Sequence, residues 1–135
     1  MTPPLDSTVD PKPVRVLIVE DEPLVAENLR ADLIDEGFEV VGVAARVEGA
    51  LRLIHGMGFD VAIIDANLAG ISAAPAAAAL SARSLPFIVL SGYAREQLQR
   101  EFSGAGAVYV QKPYRVRKLI DELNSLLRNQ RDRQA

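Results

Sequence analysis

The sequence predicts an α/β fold, a doubly wound parallel sheet with helices on both faces. Four apolar residues, Val61-Ala62-Ile63-Ile64, run directly into Asp65, bounded by Gly58 before and Gly70 after. So short an unbroken apolar run suits a strand buried on both sides, as in parallel sheets covered by helices. Strand-length apolar runs alternate five times with helical stripes, the pattern of repeated strand–helix units. Several of those runs end in residues able to do chemistry, and open α/β sheets place their ligands at the carboxyl ends of strands.

Each element follows from local pattern. Residues 1–13 hold Pro3, Pro4, Pro11 and Pro13 among small and charged residues, a disordered or extended lead-in. Val14 to Val19 reads as the first strand and ends in Glu20-Asp21-Glu22. Pro23 suits the first turn of a helix, whose stripe is Val25, Leu29 and Leu33 and whose stop is Gly37. Phe38 to Ala44 is the second strand; Val47, Ala50, Leu51 and Ile54 give the second helix, ended by Gly56 and Gly58. After the strand that ends at Asp65 comes the loop Asp65 to Ser72, then an alanine-rich helix, Ala73 to Arg83, with Pro75 in its first turn. Pro86 to Leu90 is the fourth strand, ending in Ser91-Gly92-Tyr93. Ala94 to Phe102 offers only Leu98 and Phe102 as an apolar face and is the weakest helix, broken by Gly104 and Gly106. Ala107 to Val110 is the fifth strand, ending in Gln111-Lys112-Pro113-Tyr114. Val116, Leu119, Ile120, Leu123, Leu126 and Leu127 make the clearest amphipathic helix. The domain is expected over 14–130, with a polar tail at 131–135. Right-handed crossovers limit the topologies, and a small five-strand unit favours the flavodoxin-like (βα)5 order 2-1-3-4-5.

Composition narrows the chemistry. A chain of 135 residues suits one domain, and 49% hydrophobic residues suffice for a core. The absence of cysteine removes disulfides, thiolate nucleophiles and zinc–thiolate sites, and a single His55 cannot build a histidine metal site. Carboxylates remain as ligands, which favours hard cations such as Mg²⁺. The net charge of −3 gives no case for general nucleic-acid binding. It is uneven: from Lys112 onward seven Lys/Arg face three acids, a balance of +4, leaving −7 for the remainder. The basic last helix could touch nucleic acid, but charges on its solvent face explain the excess as well. No apolar run approaches the ~20 residues that span a bilayer, and the acidic N-terminus is no secretory signal, so a soluble cytoplasmic protein is expected.

In the order 2-1-3-4-5, strands 1, 3, 4 and 5 end side by side and bring Glu20-Asp21, Asp65, Ser91 and Lys112 to one rim. Like charges near 4 Å cost roughly 4 kcal/mol per pair at an effective dielectric near 20. A bound Mg²⁺ and the Lys112 ammonium would offset that cost. Asp65 could then act as a nucleophile toward phosphorus, with metal and Lys112 neutralising the transferring group and Ser91 donating a hydrogen bond to it. Each residue also has a plainer role. Asp65, Glu20 or Asp21 could cap a helix, Ser91 could be a turn residue, and Tyr109 could cover one face of an edge strand.

These residues resemble the receiver domain of two-component response regulators, over Val14 to Arg128. By that resemblance Asp65 is the phosphoacceptor, Ser91 the hydroxyl and Lys112, followed by Pro113, the lysine of the site. Tyr109 falls at the aromatic switch position. The resemblance implies Mg²⁺ held by Asp21, Asp65 and the main-chain carbonyl of Asn67, with Glu20 acting through water. The chain departs from the commonest pattern in carrying Ala69, not proline, four residues after Asp65. The run Pro86-Phe87-Ile88-Val89-Leu90-Ser91-Gly92-Tyr93 is similar to the alphaproteobacterial PFxFATGY-type receivers, with Leu90 and Ser91 in place of Ala and Thr. Receivers of that subgroup pair with HWE or HisKA_2 histidine kinases.

The expectation is a stand-alone, single-domain response regulator, monomeric or weakly dimeric. It would accept a phosphoryl group from a histidine kinase, have no separate catalytic domain, and signal by protein contact or serve as a phosphate sink. The downstream partner would be a protein, neither nucleic acid nor membrane. The alternative is a phosphorylation-independent interaction module with the receiver fold, which has no need of an intact acid–lysine set. A flavodoxin-like cofactor binder would require a glycine-rich phosphate loop after the first strand, where Glu20-Asp21-Glu22 stands instead.

Overall fold

The computed structural model describes residues 12–102 and 107–134. Nearly all of the expected lead-in, residues 1–11, and the helix-breaking pair Gly104 and Gly106 lie outside the described residues. Five parallel strands form one sheet: β1 Arg15–Val19, β2 Glu39–Ala44, β3 Val61–Asp65, β4 Phe87–Ser91 and β5 Ala107–Gln111. Their order is 2-1-3-4-5, as the alternating pattern predicts. The helices between and after them are α1 Pro23–Asp35, α2 Val47–Gly56, α3 Ala74–Ala82, α4 Arg95–Glu101 and α5 Val116–Gln134.

Strand side chains alternate between faces, so the apolar runs divide into two cores. On one face Leu17, Val19, Ala62, Ile64, Phe87 and Val89 pack against α2 and α3 and against Leu98 and Phe102. On the other, Val16, Ile18, Ile63, Ile88 and Leu90 pack against Leu29 and Leu33 of α1 and Leu119, Ile120 and Leu123 of α5. The central strands β3 and β4 are buried along their whole length. Each fully buried Leu, Ile, Val or Phe side chain contributes about 1.5–3 kcal/mol relative to an exposed one. The alanine run fits this layering: Ala76 and Ala77 are buried in the first core, and their small side chains let α3 lie close to α2.

Two elements differ from the sequence reading. The loop after Asp65 is not irregular: Asn67–Leu68 pairs antiparallel with Ile71–Ser72 around Ala69 and Gly70. Both turn residues have positive φ, 54° and 88°, the backbone of a two-residue type I′ hairpin. Helix α5 also continues through the segment read as a polar tail, to Gln134. From Arg128 to Gln134 that stretch has neither glycine nor proline, and Arg and Gln are good helix formers.

Candidate functional site

The parallel register delivers the chemistry-bearing residues to one edge of the sheet. Val19 lies beside Ile64, so Glu20 and Asp65 follow on adjacent strands. Asp65 lies beside Leu90, and Ser91 beside Gln111, so Ser91 and Lys112 take the next places along the rim. The Lys112 N–H donates to the Ser91 carbonyl at 2.7 Å, tying the ends of β4 and β5 together, and the Lys112–Pro113 peptide is cis. The rim opens into a cleft of about 480 Å³ whose lining includes Glu20, Asp21, Asp65, Asn67, Ser91 and Lys112.

Within the cleft, carboxylate oxygens of Glu20, Asp21 and Asp65 lie within 4.8 Å of one another. Glu20 and Asp65 are buried, and Ser91 with them. Lys112 donates to Asp65 Oδ2 at 2.5 Å, while Asp65 Oδ1 accepts from the Asn67 N–H at 3.0 Å. The Tyr93 N–H donates to Ser91 Oγ at 2.9 Å, which leaves the hydroxyl proton available to the cleft. Glu20 Oε2 accepts from the Glu22 N–H at 3.1 Å, but Glu20 Oε1 is buried without a hydrogen-bond partner among the described residues.

The electrostatics follow from this crowding. Burial pushes the Glu20 carboxyl up to about 7, and the neighbouring Asp65 adds to the rise; the Glu22 N–H and Lys112 act in the opposite direction. Burial alone would lower the Lys112 ammonium. The hydrogen bond to Asp65 and the negative charges of Asp65 and Glu20 outweigh it and hold Lys112 above its ordinary value. Three clustered acids, one with an orphaned buried oxygen, form a donor set of hard oxygens. A divalent cation fits that set, because it would satisfy Glu20 Oε1 and offset the mutual repulsion.

Of the residues singled out in the sequence, Glu20, Asp21, Asp65, Asn67, Ser91 and Lys112 meet here. Tyr109 does not line the cleft. It is half-buried on the edge strand β5 against the first core, and its hydroxyl donates to the Phe102 carbonyl at 2.7 Å. His55 is exposed at the end of α2, as a solvated histidine would be. Sequence reasoning passed over two further residues. Ser72, at the end of the hairpin, hydrogen-bonds to the Glu101 carboxylate on α4. The only signal for Ser72 was its place before a helix start. Glu101 carried none.

Comparison with known proteins identifies the family. The sequence profile of the response regulator receiver domain matches residues 16–124. The chain is 36% identical over 124 residues to the transcriptional regulatory protein PdtaR of Mycobacterium tuberculosis, a match covering 89% of this chain and 60% of that protein. It spans about half the length of other curated relatives, at 51% and 52%. Among solved structures, a CheY-like receiver domain protein from Methanospirillum hungatei superposes with a TM-score of 0.77 at 25% identity, over 90% of this chain and 98% of that one. The response regulator PhyR from Brucella abortus gives 0.78 at 27% identity, over 90% of this chain and 51% of its own.

Proposed function

The chain belongs to the response regulator receiver domain family, and from that premise we propose that it accepts a phosphoryl group from a histidine kinase onto Asp65 in a Mg²⁺-dependent reaction. The observation that supports this best is the convergence of three carboxylates, Lys112 and Ser91 in one cleft at the strand ends. A carboxylate oxygen of Asp65 forms the new O–P bond as the N–P bond to the donor imidazole breaks, and the ring nitrogen keeps the electron pair. Lys112 is already directed at Asp65 and would face the phosphoryl oxygens; Ser91 offers them its hydroxyl proton. Held by Asp21, Asp65 and the Asn67 carbonyl, with Glu20 acting through water, Mg²⁺ would neutralise charge on the acids and on the transferring group.

The new charge and acceptor oxygens on Asp65 would bias the surrounding loops between two arrangements, read by a partner protein. Signalling is by protein contact, or the domain serves as a phosphate sink. The likeness of Pro86–Tyr93 to PFxFATGY-type receivers favours a kinase of the HWE or HisKA_2 type. Incubation with acetyl phosphate or phosphoramidate and Mg²⁺ tests the assignment by intact mass. An adduct of about 80 Da, one phosphoryl group, should form on the native chain and be lost in Asp65→Asn and in EDTA. An adduct that persists in Asp65→Asn would sink it.

A further inference from the structure

We propose that Ser72 and Glu101 form a latch joining α4 to the hairpin beside Asp65, so that α4 and the chemistry at Asp65 are coupled by a route separate from Ser91 and Tyr109. This rests on the phosphoacceptor reading above and goes beyond it in naming a positioning pair. The route is continuous in the structure. The Asn67 N–H donates to Asp65 Oδ1 at 3.0 Å. Asn67 opens the hairpin, its Oδ1 accepts from the Gly70 N–H at 2.7 Å, and its partner across the ladder is Ser72. Ser72 Oγ accepts from the Ala74 N–H at the start of α3 and gives its single proton to Glu101 Oε1. Glu101 is the last residue of α4.

The receiving element is easily moved. Helix α4 has seven residues, and its contribution to the core is Leu98, with Phe102 just beyond its end. So short a helix depends on tertiary contacts rather than on its own hydrogen bonds. Among the described residues its end is tethered by the Tyr109 hydroxyl on the Phe102 carbonyl and by Ser72 on Glu101. A phosphoryl group on Asp65 competes for the Asn67 N–H and crowds the hairpin. Moving Asn67 moves Ser72, because the two are paired directly across the ladder. The latch holds in the unmodified arrangement and is released when the hairpin yields. A hydroxyl–carboxylate hydrogen bond at a partly exposed position weights the latched arrangement about fivefold. Linkage requires that what disfavours the phosphorylated arrangement also weakens binding of a phosphoryl analogue by the same factor.

The test is calorimetric titration with beryllofluoride and Mg²⁺, together with amide hydrogen exchange over α4, on the native chain, Ser72→Ala, Glu101→Ala and Ser72→Thr. Glu101→Ala keeps the Ser72 bond to the Ala74 N–H and places a better helix former in α4, so loosening of α4 in that variant cannot come from helix propensity. The two alanine variants should bind the analogue about fivefold more tightly and exchange faster over α4, and Ser72→Thr, which keeps the hydroxyl, should match the native chain. Unchanged analogue affinity in both alanine variants overturns the latch even if α4 exchange rises, since a purely structural contact moves only the exchange. A native chain that fails to bind the analogue overturns the phosphoacceptor reading, and the latch with it.

Discussion

Lys112 Nζ and Asp65 Oδ2 lie 2.5 Å apart although 47 residues separate them in the chain. Among the described residues the ammonium is the one positive side chain lining a cleft with four acids, Glu20, Asp21, Glu22 and Asp65. Replacing it by Met keeps most of the apolar stem and removes the charge. Lys112→Met should bind Mg²⁺ severalfold more tightly, because less positive potential opposes the cation. Phosphoryl transfer to Asp65 should nevertheless slow by about tenfold or more, because the transferring oxygens lose a fixed partner. Mg²⁺ titration and the rate of adduct formation with acetyl phosphate measure the two effects. A variant weaker in both would show that Lys112 holds the shape of the site rather than its charge balance.

Glu20 makes a second prediction. Its carboxyl is pushed from 4.5 to about 7 in the folded chain, mainly by burial. The folded state therefore holds the proton more tightly than the unfolded state. That contribution to stability is fully present below about 4.5 and is lost as pH rises through about 7. In EDTA the Tm should fall between pH 5 and pH 8 by an amount on the order of 5 °C. Glu20→Gln should flatten that part of the profile. Mg²⁺ should reverse the loss at pH 8, because a cation favours the ionised acid and satisfies Glu20 Oε1. Thermal melts across pH with and without the metal check all three.

These two sites also show what was legible in the sequence. Asp65 and Lys112 were readable because each ends a short apolar run, and alternating strand–helix patterning leaves few topologies that could separate them. The burial of Val61–Asp65 on both faces was readable for the same reason. The hairpin was not. Ala69 sits at φ 54°, a conformation for which alanine carries no preference, so Leu68-Ala69-Gly70-Ile71 lacks the Asn-Gly or Asp-Gly signature of such turns. Ser72 and Glu101 meet across 29 residues of chain, a tertiary contact that no local pattern encodes. The continuation of α5 past Arg128 was missed because a polar run without an apolar stripe reads as a tail unless its freedom from helix breakers is weighed.

Ala69 yields a third prediction. A left-handed conformation costs an L-residue other than glycine or asparagine about 1–2 kcal/mol. Ala69→Gly removes that cost but makes the unfolded chain more flexible, so a net gain of about 0.5 kcal/mol is expected. Ala69→Asn should gain at least as much. Ala69→Pro cannot adopt φ 54°, since the ring holds φ near −65°. It should open the hairpin, cost about 2 kcal/mol or more, and weaken Mg²⁺ binding because Asn67 loses its place beside Asp65. Urea denaturation and metal titration of the three variants measure this. An undiminished Mg²⁺ affinity in a folded Ala69→Pro would show that the hairpin does not shape the site.

Tyr109 gives the last prediction. Its ring packs against the core shared by β5 and α4, while its hydroxyl holds the Phe102 carbonyl at the end of α4. Ring and hydroxyl are separable. Tyr109→Phe keeps the packing and leaves the Phe102 carbonyl without that donor, which should cost about 1 kcal/mol. Tyr109→Ala also removes the ring and should cost about 3 kcal/mol or more. Neither change touches the cleft, so adduct formation on Asp65 should proceed at close to the native rate in both, provided the alanine variant is assayed below its melting temperature. If Tyr109 acts as a switch through its hydroxyl, Tyr109→Phe should alter hydrogen exchange over α4 on phosphorylation while leaving that rate alone. If the ring only fills the edge of the sheet, the exchange response to phosphorylation should be native in Tyr109→Phe, and the stability loss in Tyr109→Ala should be the residue's whole effect.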